Sequence, residues 1–183
     1  RQYFIDSATS HQIFVQRYAV GREKEAGVAI NRMMRTITGR LAGDVTEYSE
    51  ARLTTLLAEL QSTSNELLTQ LGESTIEEAQ KFAIYEAEFN RKMLSKGVAA
   101  NISVPAPAQL ASAIYTSPMK LAPNATYTIA DALSRFTTKK SIQIVQTIKD
   151  GIALGDTSQK ISANLKQLGV LQKQQASTLT RTI

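Results

Sequence analysis

Four prolines occur in this chain of 183 residues, and all four (Pro105, Pro107, Pro118 and Pro123) fall within 19 consecutive positions. Proline fixes φ and lacks a backbone donor, so no long helix passes through that stretch. The 104 residues before it and the 60 after it are free of proline and can run as long helices. The apolar pattern there recurs at steps of three and four, the spacing of one helix face. No segment shows sustained alternation of period two. The chain is therefore expected to be all-α and elongated: a long-helix region over 1–97, a Pro-rich linker over 98–124 and a C-terminal unit of smaller helices over 125–183.

The first run, 4–42, places Phe4, Ala8, His11, Val15, Tyr18, Ala29, Met33, Ile37 and Leu41 on one side. About forty helical residues span ~60 Å, whereas a compact chain of this length has a radius of gyration of ~16 Å. The helix must bend, for which Gly21 is the expected place, or the molecule must be elongated. Gly43 reads as a stop and Asp44 as the next N-cap. A leucine stripe follows with Leu53, Leu56, Leu57, Leu60, Leu67, Leu68 and Leu71. Gly72 reads as its end, and Ser74-Thr75-Ile76-Glu77 has the form of a capping box, opening a third helix that Gly97 closes. In the linker, one short helix fits at 108–115. Thr128-Ile129-Ala130-Asp131 opens the next.

The last segment has the strongest punctuation. Ile144, Val145, Ile148, Ile152 and Leu154 form one apolar face, and Gly155 supplies a left-handed helix stop. Asp156 or Thr157 then caps a following helix, with Gln159 completing a box-like pair. Ile161, Leu165 and Leu168 face inward, and Gly169 reads as a further stop. Gly151 and Gly155 have GxxxG spacing in an amphipathic context, which fits close helix packing or a helix end. Gly151, Gly155, Asp156, Thr157 and Gln159 are the structural joint that the pattern singles out.

Catalytic equipment is scarce. Cysteine is absent and His11 is the one histidine, which excludes disulfides, Cys-ligated zinc and His-based triads or zinc sites. No Walker A, GxGxxG or HExxH pattern occurs. Glu77 is accounted for by the capping box, and Glu78, Glu86 and Glu88 lie among Lys81, Arg91 and Lys92 as helix-surface pairs. No apolar run approaches the ~20 residues that span a bilayer. No cofactor or metal site is expected. The chain opens on Arg1, so its ends read as those of a fragment or processed form.

The net charge of +5 comes in blocks. Residues 1–43 hold seven Lys/Arg against three Asp/Glu, residues 44–97 five against ten, and residues 98–183 nine against three. Such blocks can pair within a chain, between copies, or with an anionic partner. The turn at Gly155, followed by Gln159, Lys160, Asn164, Lys166 and Gln167, also fits a helix-turn-helix DNA reader.

The segment 144–183 resembles the Mu-F-like family of phage head morphogenesis (minor head) proteins. The residues that carry the likeness are Ile148, Gly151, Ile152, Gly155, Ser158, Ile161, Leu165 and Ala176-x-x-Leu179-x-Arg181-Thr182. The stretch His11-Gln12-Ile13-Phe14-Val15-Gln16-Arg17-Tyr18 is similar to the opening of such proteins, and a Pro-rich middle is also typical. Members usually continue past the Arg-Thr into a further region, and the sequence here stops at Ile183. The resemblance implies a non-enzymatic structural protein of a tailed-phage particle, in the capsid interior near the portal vertex after assembly in the host cytoplasm, acting in head assembly or genome ejection. Expected partners are the portal or other virion proteins, further copies of the chain and, without sequence preference, packaged double-stranded DNA. His11, Arg17, Tyr18, Leu53, Leu57 and Leu60 are the candidate assembly contacts; a DNA-binding helix-turn-helix module is the alternative reading.

Overall fold

The computed structural model describes residues 2–41, 50–98, 101–122 and 125–182. Its elements in chain order are α1 (Gln2–Arg40), α2 (Glu50–Val98), α3 (Pro107–Thr116), β1 (Met119–Ala122), β2 (Ala125–Tyr127), α4 (Ile129–Ala153) and α5 (Ser158–Thr182). Among the described residues the protein is all-α apart from one antiparallel hairpin of β1 and β2, which pairs Met119 with Tyr127, Lys120 with Thr126 and Ala122 with Ala125. Four- and three-residue strands are too short to show as alternation in the sequence. No helix among the described residues is long and apolar enough to cross a membrane.

Four helices share one core. Helix α1 packs on α2 and α5, and α4 packs on α2 and α5, so α1 and α4 are diagonal partners, as are α2 and α5. The interior holds Ile30, Met33, Met34 and Ile37 from α1, Leu60 and Leu68 from α2, Ile144 and Ile148 from α4, and Ile161, Leu165 and Ala176 from α5. Leu41, in the turn after α1, is fully buried against them. At 1.5 Å per residue the 25-residue helices α4 and α5 span about 37 Å, whereas α1 spans about 58 Å and α2 about 73 Å. The first half of α1 and the second half of α2 therefore project beyond the four-helix part as a two-helix arm. This gives the elongation that the length of the first run requires.

Two expected helix stops, at Gly72 and Gly169, are not stops. Helix α2 continues through Gly72, so the second and third N-terminal helices of the sequence reading are one. The Thr75 hydroxyl donates back to the Leu71 carbonyl at 2.8 Å, and Glu77 pairs with Lys81 at 2.8 Å on the helix surface; Ser74 to Glu77 thus form an ordinary helix interior and no capping box. Gly72 is buried beside α4, where Leu133 Cβ lies 3.8 Å from the point a Cβ would occupy. Helix α5 likewise runs through Gly169, where a Cβ would come within 2.9 Å of Met34 Cγ. In α1, Gly27 lies under the aliphatic stem of Lys173. These glycines let helices approach, and about 1 kcal/mol of lost helix propensity is the local cost. Helix α1 also runs uninterrupted through Gly21. The stop expected at Gly43 and the cap at Asp44 lie outside the described residues.

Residues 101–106 are irregular, and Pro107 occupies the first position of α3, where its missing donor is harmless. The Gln109 side chain accepts from the Ala106 backbone N–H at 2.9 Å. Helix α3 packs on α2 and α4. Helix α4 then opens as its sequence indicates: the Thr128 hydroxyl accepts from the Asp131 N–H at 3.1 Å and donates to the Asp131 carboxylate at 2.8 Å.

Candidate functional site

Helix α4 ends in a complete Schellman motif. Gly155 has φ +70°. The Asp156 N–H donates to Gly151 O at 2.8 Å and the Gly155 N–H to Ile152 O at 3.0 Å. Helix α5 starts at Ser158, which places Thr157 at the N-cap and Gln159 at N2. The Lys160 N–H reaches the Thr157 hydroxyl at 3.4 Å. The carboxylate of Asp156, 8% exposed, takes the Lys160 ammonium at 2.6 Å. The box-like pair expected from Gln159 is thus displaced by one position: Lys160 stands at N3 and Gln159 is exposed. Gly151 lies under Ile161, whose Cγ1 is 2.6 Å from the point a Cβ would occupy. Close approach is therefore the role of Gly151, and chain reversal the role of Gly155.

The joint folds α4 and α5 into an antiparallel hairpin. Contact begins at Gly151 with Ile161. It continues to Lys140, whose carbonyl accepts from Gln172 Nε2 at 3.4 Å and whose ammonium donates to the Gln175 side chain. The helices of a DNA-reading helix-turn-helix cross at about 90–120° instead. Lys140 is 4% exposed; its ammonium also donates to Gln143 Oε1 at 3.0 Å and stands 5.6 Å from the Phe136 ring centroid. Burial, reinforced by the charge of Lys139, pushes its pKa below the usual lysine range.

The arm is zipped by rings. On α1, His11, Phe14 and Tyr18 meet Phe82, Tyr85 and Phe89 of α2. His11 stacks on Phe89 at 3.7 Å between centroids, Tyr18 on Phe82 at 4.7 Å, and Phe14 leans on Tyr85 at 4.5 Å. Polar contacts fix the register. His11 Nε2 meets the Glu86 carboxylate oxygens at 2.9 and 3.1 Å. The Tyr18 hydroxyl donates to Glu78 O at 3.1 Å. Arg22 reaches the Glu78 carboxylate at 3.4 Å and also pairs with Glu25. Burial and then the negative charge of Glu78 raise the Tyr18 pKa. The Lys81 hydrogen bond, helped by Arg22, holds the Glu78 carboxyl below the usual range. At the tip, the Phe4 ring covers Gly97, and Lys96 sits over the Tyr3 ring at 4.7 Å.

Of the candidate assembly contacts, His11 and Tyr18 are half-buried between α1 and α2, and Leu60 is fully buried in the common core with Leu57 packed against it. Leu53 is half-buried near the start of α2, and Arg17 is exposed. The arm presents other apolar side chains to solvent: Ile5, Ile13, Val20 and Leu94 are each more than 40% exposed. Two shallow grooves flank α2. One, of about 630 Å³, lies against α1 and is lined by Arg22, Lys24, Arg32 and Gln70; the other, of about 530 Å³, lies against α4 and is lined by Asn65, Thr69, Ser134 and Thr138. Among the described residues no cluster of three or more His, Asp or Glu side chains is placed to hold a metal ion. Sequence reasoning missed the ring-lined seam because its partners lie some 75 positions apart, as His11 and Glu86 do; a row of aromatics at helical spacing in each half was the available signal.

Compared with protein-family models, with curated proteins and with solved structures, the chain matches none.

Proposed function

We propose that this chain is a structural, non-enzymatic component of a tailed-phage head, seated in the capsid interior by the portal vertex and acting in head assembly or genome ejection. One observation carries the reading: of the residues of the resemblance, those from Ile148 to Ala176 lie together on the α4–α5 hairpin. Gly155 turns the chain, Gly151 lets Ile161 approach, and Ile148, Leu165 and Ala176 fill the core beside them. These are packing roles, as expected of a protein whose work is to hold a shape. The aromatic-zipped arm supports the same reading, because a stiff two-helix projection suits docking on a portal or another virion protein.

The test is composition and position in the particle. Mass spectrometry of purified virions should find the chain in a fixed ratio to the portal protein, and a cryo-EM reconstruction without imposed icosahedral symmetry should place helical density of this length at the portal vertex. Absence of the chain from both mature particles and assembly intermediates overturns the reading.

A further inference from the structure

The diagonal helices α2 and α5 carry opposite charge at the same pitch. From 53 to 80 the chain has no Lys or Arg, and its carboxylates include Glu59, Glu66 and Glu73, spaced by seven. Seven residues are nearly two turns, so the three stand in a row about 10.5 Å apart. All three are exposed and turned away from the buried row Leu60, Ser64 and Leu68. From 158 to 182 there is no Asp or Glu, and Lys166 and Lys173 are exposed at the same spacing of seven. The Lys173 stem crosses Gly27, which sets this row along the seam between α5 and α1. Residues 26–40 of α1 beside it contain no carboxylate.

We propose that these two edges bind each other between copies: the α2 edge of one copy docks on the α5–α1 seam of the next. A second copy brings the glutamate row and the lysine row together in one contact and matches the seven-residue spacing of both. A polyanion would engage one edge and leave the other repelling it. The two surfaces are different and lie on opposite sides of the bundle, so the contact is heterologous. It propagates head to tail and closes into a ring when the rotation per step allows. The proposal gives faces to the self-association that the virion reading expects and rests on that reading for its setting. It is measured on the isolated chain, so its failure leaves the particle location untouched, and absence from particles leaves the contact measurable.

The experiment is sedimentation velocity of the full chain at tens of micromolar, in about 20 mM and then about 300 mM NaCl, because exposed pairs weaken as the screening length falls. Wild type is expected to form oligomers at low salt and to dissociate at high salt. Glu59→Lys/Glu66→Lys/Glu73→Lys and Lys166→Glu/Lys173→Glu should each be monomeric at low salt, and an equimolar mixture of the two should assemble again, since every contact in it is complementary. Circular dichroism and a cooperative melt establish that the variants fold. If either multiple variant does not fold, Glu66→Gln and Lys173→Gln take its place, each expected to shift dissociation to lower salt. A wild type that stays monomeric at low salt overturns the proposal, including one that is monomeric alone yet retained by duplex DNA through Lys166 and Lys173. So does a folded multiple variant that still assembles, or a mixture of folded variants that does not.

Discussion

The imidazole of His11 lies flat on the ring of Phe89, with centroids 3.7 Å apart and planes within 8° of parallel. The two residues are on different helices and hold the arm together well beyond the four-helix core. Stability in this protein is therefore divided: a core shared by four helices at one end, and a seam of rings between two helices at the other. Phe89→Ala should cost about 1–2 kcal/mol, between the value of an aromatic pair and that of a buried Phe. The loss should be local. In hydrogen exchange, amides of 4–20 and 80–96 should lose protection while those of 144–150 and 161–168 keep theirs. Uniform loss across both regions would show that the arm and the core are one cooperative unit.

Gly155 at φ +70° sets the second prediction. A Cβ disfavours that conformation by about 1–2 kcal/mol, and β-branching adds to the strain. Gly155→Val should lower unfolding free energy by about 2 kcal/mol. Lys160→Ala removes the side chain that pairs with Asp156 but is itself mostly exposed, so it should cost no more than about 1 kcal/mol. Urea titration of both variants decides the order; equal effects would mean that the turn tolerates a side chain.

Glycines at two depths should respond with opposite sign. A Cβ at Gly151 meets Ile161 Cγ1 at 2.6 Å, so Gly151→Ala should destabilise by about 1–3 kcal/mol through overpacking, despite a gain in helix propensity. Combining it with Ile161→Ala, which removes that atom, should cost less than the sum of the two single changes. At Gly21 nothing lies within 4 Å of the added carbon. Gly21→Ala should stabilise by about 0.5–1 kcal/mol, readable as a raised midpoint of thermal unfolding.

Lys140 supplies a pH dependence. Its folded pKa is depressed by burial below the unfolded value, so the unfolded chain binds the proton more readily. The charged lysine therefore destabilises the fold at neutral pH, and that penalty disappears as pH rises through the folded pKa toward the unfolded value near 10.5. Lys140→Met keeps the stem and removes the charge. It should raise stability by about 1 kcal/mol at pH 7, with the gap to wild type closing by pH 10.5. A gap independent of pH would place the effect in packing instead.

Local chemistry alone determined a good deal here. Long apolar periods on either side of the proline cluster made the chain all-α. Thr128, Pro107 and Gly155 set element boundaries through interactions that reach no further than five residues. Tertiary structure decided the rest. Gly72, Gly155 and Gly169 are the same residue in sequence, yet one reverses the chain and two continue a helix. What separates them is the neighbour: Met34 presses on Gly169 and Leu133 faces Gly72, while Gly155 has open space and the carbonyls of Gly151 and Ile152 to satisfy. The absence of a Cβ serves left-handed backbone and close helix packing equally well, and only the partner helix selects between them. For the same reason Leu60 became core, and His11 met Glu86 across 75 positions: helix period assigns a residue to a face, and the packing of the bundle decides what that face meets.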